Sequence, residues 1–349
     1  MAQLFPTEQY LRERFKFGSR SMGFQATTLE EWQFWRQTLR AKIRELQGID
    51  RLLPTPPNAK ITETVQCDGY TRQRVEIDTE PGVTMPFYVL IPDNLQGTAP
   101  AVIAPHGHAS GGKFAVAGIR DDPQVVKTIE EHNYDYGVQA ARRGYVAFCP
   151  DARGFGERRE SFSAKSEQIL NSSCAQLAHM GLPLGLTVAG MWTWDLMVLL
   201  DYVQTRPEVQ GQKISAIGLS GGGLQVMWLA ALDERIECAV ISGYFYGVAD
   251  SLLHLSDNCA CNYIPHMWEM ADMGDVAALI APCPLLIETA RQDGLNGPRG
   301  MDNVFEQYAI TEKAYNLLDV PERLAHDTFD GGHVWHGTVA FDWLDRWAR

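Results

Sequence analysis

No stretch of about 18 uninterrupted apolar residues occurs in this chain of 349 residues, so a membrane-spanning helix is not expected. The longest apolar run, Ala277–Ile287, is broken by Pro282 and Pro284. A dense Lys/Arg run is also missing: 30 basic residues stand against 43 acidic ones, a net charge of −13. An anionic surface repels phosphate backbones and anionic headgroups, which argues against nucleic acid and membrane as partners. The opening Met1–Tyr10 has no basic segment followed by an apolar one, so no secretory signal is read there. The seven cysteines (67, 149, 174, 238, 259, 261 and 283) are an odd number scattered along a large chain. That pattern belongs to reduced thiols, not to a disulfide framework, and a cytoplasmic location is expected. There are no internal repeats and no low-complexity tract.

What is present is the makeup of a globular protein. With 45% hydrophobic and 21% charged residues the chain can bury a sizeable core, which excludes disorder. The first ~50 residues read as helical. Thr28-Leu-Glu-Glu31 is a capping-box pattern ahead of Trp32, Trp35, Leu39, Ile43 and Leu46, which recur at helical spacing. Pro54-Thr-Pro-Pro57 cannot continue a helix and reads as a linker. We therefore divide the chain into an N-terminal helical extension, 1–57, and one large domain, 58–349. The extension is left with two roles, covering a pocket or forming a homo-oligomer contact.

After the linker, Thr62–Cys67, Arg72–Asp78 and Met85–Ile91 look like an antiparallel meander. Strand candidates then follow at Ala101–Ala104, Tyr145–Cys149, Ile214–Leu219, Cys238–Ser242, Pro284–Glu288 and Leu324–Phe329. Helix candidates lie between and after them at Tyr134–Arg143, Leu186–Val203, Gly222–Leu232, Asp302–Tyr315 and His336–Trp347. This alternation predicts an α/β fold: a mostly parallel, doubly wound sheet with helices on both faces. Leu186–Val203 is apolar almost all round, Asp195 and Asp201 excepted, and is expected to be buried.

The sharpest chemical signal is Gly218-Leu-Ser220-Gly-Gly222, a Gly-x-Ser-x-Gly turn between a strand candidate and a helix candidate. Glycines remove the Cβ clash in so tight a turn, and the serine is lifted to a helix N-terminus, where developing negative charge is favoured. A phosphate-cradling reading fails, because neither Gly-x-Gly-x-x-Gly spacing nor a Walker lysine is present.

A serine nucleophile needs a base, and a carboxylate to orient that base. In a fold of this kind the chain order is Ser, Asp/Glu, His. Gly331-Gly-His333 follows the last strand candidate, and His333 is preferred over His336 and His326. Asp293, in the loop beyond Pro284–Glu288, is preferred as the acid over Glu288 and Asp330. The loop His106-Gly-His108 after Ala101–Ala104 can aim backbone N–H groups at an oxyanion, which assigns His108 and Gly221, with Gly107 the alternative. Tyr244 and Phe245, just past a strand, together with His106 and Trp335, are candidates for the substrate pocket. The Cys149-Pro-Asp151-Ala-Arg153 segment reads as a turn held by an Asp–Arg pair at the rim of the site. No metal or cofactor is expected: His106-x-His108 has no third ligand nearby in sequence, and Cys259-Ala-Cys261 has no second pair.

Together the Gly218–Gly222 turn, Asp151-Ala-Arg-Gly-Phe-Gly156, the His106-Gly-His108 loop and Gly331-Gly-His-Val-Trp-His-Gly337 resemble the α/β-hydrolase superfamily over roughly residues 60–349. Within it the chain is similar to the dienelactone-hydrolase/acetyl-xylan-esterase-like group of bacterial serine hydrolases. A dienelactone hydrolase proper is expected to use cysteine as its nucleophile; Ser220 departs from that and favours ordinary ester hydrolysis. The resemblance implies an esterase acting on a small ester, such as an acetylated carbohydrate, without a cofactor. Lactone or C–C bond hydrolysis, peptidase activity, and a catalytically silent binding protein on the same scaffold are the competing expectations.

Overall fold

Nine strands form among the described residues: β1 (Lys60–Gln66), β2 (Tyr70–Glu80), β3 (Val83–Pro92), β4 (Ala99–Ile103), β5 (Val146–Pro150), β6 (Val209–Leu219), β7 (Ile236–Ser242), β8 (Leu285–Ala290) and β9 (Leu324–Phe329). The structure is a computed structural model describing residues 4–93, 95–161, 168–255 and 258–349. The strands make one sheet in the order β1-β2-β3-β5-β4-β6-β7-β8-β9. The pairs β1–β2, β2–β3 and β3–β5 are antiparallel, and the rest of the sheet is parallel. The predicted meander and the predicted parallel sheet are thus two parts of a single layer.

The longer helices are α1 (Glu8–Gly18), α2 (Leu29–Gln47), α3 (Pro123–His132), α4 (Tyr136–Arg142), α5 (Cys174–Gly181), α6 (Val188–Val203), α7 (Gly221–Leu232), α8 (Met301–Leu317) and α9 (Thr338–Trp347). Two of these, α3 and α5, have no counterpart in the sequence reading. Yet α3 carried a local signal, Asp122-Pro123, and Asp122 does cap it by accepting from the N–H of Gln124. The capping box at Thr28 forms as expected, with Thr28 Oγ1 accepting from Glu31 N–H and Glu31 Oε2 accepting from Thr28 N–H, both at 3.2 Å.

Strand alternation sends side chains to two cores. Ile214 and Ala216 of β6 join Leu39 and Ile43 of α2, Leu196 of α6 and Leu224 of α7 on one face. Ile217 and Leu219 join Val125 of α3, Tyr136 of α4 and Phe341 of α9 on the other. Among the described residues no single helix is long and apolar enough to cross a membrane.

The central strands β4, β5 and β6 locate the crevice. From β4 the chain crosses to β5 on one side, and later enters β6 on the other. A doubly wound sheet opens a ligand crevice at such a reversal, beyond the carboxyl ends of the strands. The loops after β4 and β6 meet there.

Helix α6 is buried as predicted, and its Asp195 explains how a charge is tolerated inside. Arg153 forms a two-pronged pair with Asp195 (Nε–Oδ2 3.0 Å, Nη2–Oδ1 2.7 Å), and Arg158 adds a third bond at 2.6 Å. Arg153 also reaches Glu80 at 2.7 Å. The expected Asp151–Arg153 pair does not form. Asp151 is instead held by the buried Lys113 ammonium at 2.5 Å and by the backbone N–H groups of Lys113 and Glu157. Asp151 and Arg153 are two residues apart just past β5, but each charge finds its partner on a different distant segment.

Burial pushes the Asp195 carboxyl up, but Arg153 and Arg158 outweigh that and hold it at about 2. A carboxyl depressed in the folded state contributes stability above the unfolded-state value near 4 and loses it as pH falls toward 2. Replacing it leaves two buried guanidinium groups short of a partner. Asp195→Ala is expected to cost about 3–5 kcal/mol in urea denaturation at pH 7, with the gap to the native chain narrowing under acid.

Candidate active site

The turn between β6 and α7 is where the chain is most constrained. Ser220 adopts φ 60°, ψ −123°, a conformation that costs a residue with a Cβ about 1–3 kcal/mol. Its neighbours permit this only by lacking side chains. A Cβ on Gly218 would lie 2.4 Å from the Gly222 carbonyl carbon, and one on Gly222 would lie 2.3 Å from the Pro105 carbonyl oxygen. Ser220 N–H donates to Ser242 O at 2.9 Å, tying the turn to β7. Gly221 begins α7, so its N–H belongs to the first turn, where backbone donors have no partner within the helix.

The base and acid expected from the sequence come together. His333 Nδ1 lies 2.6 Å from Asp293 Oδ2, and Asp293 Oδ1 accepts from Leu295 N–H at 2.9 Å. Both oxygens of the buried carboxylate are thus engaged, which fixes the plane of the imidazole. The ring sits over Gly243, where a Cβ would approach His333 Cε1 to 3.1 Å.

The end of α3 holds the histidine loop from outside. His132 Nδ1–H donates to His333 O at 2.8 Å, Trp335 N–H donates to His132 O at 3.0 Å, and Asn133 Nδ2 donates to Trp335 O at 3.0 Å. Sequence reasoning missed His132 and Asn133, whose partners lie some 200 residues away and leave no local mark.

The alternatives weighed for base and acid go elsewhere. Glu288 is fully buried, its Oε1 accepts from Gly337 N–H at 3.0 Å, and it stands beside Asp327 and His336. His336 pairs with Asp327 at 2.6 Å. His326 stacks on Tyr308 with ring centroids 5.0 Å apart, and Asp330 is an exposed partner of Arg291.

In the loop after β4, Gly107 N–H donates to Tyr134 Oη at 2.9 Å and is therefore committed. The loop lies so close to the turn that a Cβ on Gly221 would meet the His108 ring at 2.8 Å. Ser110 Oγ and Gln225 Nε2 pin it by donating to Gly107 O and His106 O, both at 2.8 Å.

Ser220, Asp293, His333, His108, Tyr134 and Tyr244 are among the residues lining a cavity of about 590 Å³. Tyr244 faces it with Oη donating to Asn262 Oδ1 at 2.7 Å, and Tyr246, two residues on, faces it as well. The other three pocket candidates are corrected. His106 is buried behind the loop, its Nδ1–H donating to Gly107 O at 2.8 Å and its Nε2 accepting from Ala152 N–H at 3.1 Å. Burial lowers its basicity and keeps it neutral. Phe245 is buried in the core and is not among the residues lining the cavity, and Trp335 is buried against Tyr136 with centroids 5.0 Å apart.

A further correction concerns the cysteines. Cys259 and Cys261 do have partners with metal-ligand character: with His108 they place three ligand atoms within 4.8 Å of one another. The spacing gave no sign of this, because the histidine comes from the loop after β4. A second group of that kind, Glu288, Asp327 and His336, lies beside the site.

A parallel sheet flanked on both faces, a strained serine between the sixth strand and the following helix, and a His–Asp pair from the last two strand ends define an α/β-hydrolase. The chain belongs to the Abhydrolase family, whose profile matches residues 16–329. The proposed hydrolase YtaP of Bacillus subtilis (strain 168) is 28% identical over 310 residues, covering 85% of this chain and 96% of that one. Among solved structures, a proposed acetyl xylan esterase from Bacteroides fragilis NCTC 9343 superposes with a TM-score of 0.82, at 18% identity, over 99% of this chain and 95% of that one. A glucuronoyl esterase from Solibacter usitatus gives 0.65 at 14% identity, over 98% and 97%. These two likenesses are likenesses of fold.

Burial raises the Glu288 carboxyl to about 7, since the N–H bond from Gly337 does not offset the loss of solvent. A carboxyl raised in the folded state binds its proton more tightly there than in the unfolded chain, so stability falls as pH rises from about 4.5 to about 7 and then levels. Glu288→Gln retains an acceptor for Gly337 N–H and removes the titration. It is expected to exceed the native chain in stability at pH 8 by up to about 3 kcal/mol, with the difference closing by pH 4, in urea melts across that range.

Proposed function

We propose that the protein is an ester hydrolase in which Ser220 is the nucleophile, His333 the general base and Asp293 the residue that orients it. The observation that carries this reading is that the strained serine and the Asp293-bound imidazole line one cavity. In this mechanism His333 Nε2 takes the Ser220 proton as Oγ attacks the ester carbonyl carbon. Asp293 keeps Nδ1 protonated and stabilises the imidazolium. The backbone N–H groups of His108 and Gly221 receive the oxyanion, a reading supported by the commitment of Gly107 N–H to Tyr134. His333 then returns its proton to the leaving alcohol, and a water repeats the sequence to release the acid and free Ser220.

For the substrate we propose a short acyl group, such as acetyl, on a carbohydrate. The cavity is walled by the aromatic rings of Tyr134, Tyr244 and Tyr246 and by the amides of Asn258 and Asn262, and no Lys or Arg lines it among the described residues. Aromatic faces and amides suit a neutral polyhydroxyl ligand, and the net negative charge of the chain favours a neutral one too. The acetyl xylan and glucuronoyl esterase names borne by structural neighbours lend this reading support.

Hydrolysis of p-nitrophenyl acetate is expected for the native chain, with Ser220→Ala slower by at least about 10³-fold and Asp293→Asn by about 10⁴-fold at neutral pH. Equal rates for the native chain and Ser220→Ala would sink the assignment. Against a panel of acetylated xylo-oligosaccharide, lactone and peptide, the sugar ester is expected to show the largest kcat/KM.

A further inference from the structure

Beside the cavity, two thiols converge on one imidazole, with a third thiol nearby. Cys174 is the first residue of α5 and is fully buried. Cys259 and Cys261 flank Ala260 in a short helical turn, and His108 comes from the loop after β4. His108 Nε2 lies 3.2 Å from Cys261 Sγ, and Cys259 Sγ lies within 4.8 Å of both atoms. The Cys174 thiol is near enough to interact with those of Cys259 and Cys261, but its sulfur is not in the set of atoms within 4.8 Å of one another. None of the seven cysteines is in a disulfide.

Isolated buried cysteines act as small apolar fillers, and packing alone would account for any one of them. It does not account for two sulfurs of one turn meeting a ring nitrogen from a distant loop, with a third thiol from α5 beside them. A tetrahedral centre with bonds of about 2.3 Å to sulfur and about 2.0 Å to nitrogen puts neighbouring ligand atoms roughly 3.3–3.8 Å apart, and the 3.2 Å between His108 Nε2 and Cys261 Sγ is on that scale.

The surroundings are also those of a held site. The Asn262 amide donates to Cys259 O at 2.9 Å and lies 3.7 Å from Cys261 Sγ, while its oxygen takes the Tyr244 hydroxyl. The rings of Phe155 and Trp192 lie against the His108 imidazole, with centroids 5.5 and 6.4 Å away.

From the geometry of Cys259, Cys261 and His108 we infer that they bind a thiophilic divalent cation, zinc by its preference for thiolate and imidazole, and that the ion draws in the neighbouring Cys174 as the fourth ligand of a tetrahedral set. Four protein ligands close the coordination sphere, which makes the site structural, not hydrolytic. Each cysteine binds as thiolate, so uptake of the ion releases the thiol protons. The ion ties α5 and the Cys259–Cys261 turn to the loop that carries the His108 backbone N–H. The site stands whether or not the hydrolytic assignment does, because its own readout is metal content.

The test uses the full chain purified without chelator. Elemental analysis is expected to find about one zinc per chain after gel filtration. Exchange for Co²⁺ is expected to give the ligand-field bands of a tetrahedral ion together with thiolate-to-metal charge transfer. Cys174→Ser should weaken zinc retention at least about 10-fold in competition with a chromogenic chelator, and Cys67→Ser, in the distant β1–β2 turn, should leave it unchanged. Should Cys174→Ser fail to fold, Cys261→Ser replaces it, and the cobalt spectrum of the native chain decides by itself. The proposal is overturned if the native chain holds no zinc and shows no thiolate-to-cobalt charge transfer. It is equally overturned if intact mass shows two of the three cysteines joined in a disulfide in the freshly purified chain.

Discussion

Ser220 is held at φ 60°, ψ −123° by a turn that has no room for a Cβ at Gly218 or Gly222, and the rest of the site is arranged around that absence of space. Because Gly222 presents no side chain, the loop after β4 can lay its Pro105 carbonyl against α7. Because Gly221 presents none, the His108 ring can close over the start of the helix. Because Gly243 presents none, the His333 imidazole can rest above β7. Three loops from distant parts of the chain therefore reach one point without any of them bending around a side chain. A backbone strain of a few kcal/mol is sustained only where the surroundings over-determine it, and here they do, through the β6 and β7 pairing and the buried length of α7.

A layer of charge supports this arrangement from below. Lys113, just past the His108 loop, is fully buried and neutralised by Asp151 and Glu157. Arg153 and Arg158, from the loop after β5, are neutralised by Asp195 of α6. Each pair joins the crevice rim to an element that does not itself line the cavity. Removing either member of such a pair is far costlier than the pair's net worth, because the survivor is left charged in a medium that solvates it poorly. The rim is thus fixed by electrostatics where the turn at its centre is fixed by sterics.

How much of this was legible follows from where each determinant lies. The strained turn carries its whole cause within five residues, so its geometry at Ser220 could be read directly. His333 and Asp293 could be read because strand order makes the end of a particular strand a particular place, and the strands themselves were marked by short apolar runs. Local reasoning failed where the partner is remote. Asp151 and Arg153 carry opposite charges two residues apart, yet they bind Lys113 and Asp195. Tyr244 and Phe245 look equivalent in sequence, but only Tyr244 lines the cavity, while Phe245 is spent in the core. The clamp at His132 and the company kept by Cys259 and Cys261 left no trace in spacing, since both arise from packing between segments that meet only once the sheet is complete.

The position of His333 in the sheet also bears on what completes the site. The turn at Ser220, the loop at His108 and the carboxylate at Asp293 belong to strands that are already neighbours once β8 has joined β7. The imidazole hangs from the far side of β9, the edge strand, whose only contact in the sheet is β8. The sheet through β8 brings Ser220, Asp293 and the His108 loop together, and His333 arrives only with β9. One edge strand therefore completes the cluster of Ser220, Asp293 and His333, so the integrity of the site depends on the pairing of β9 with β8.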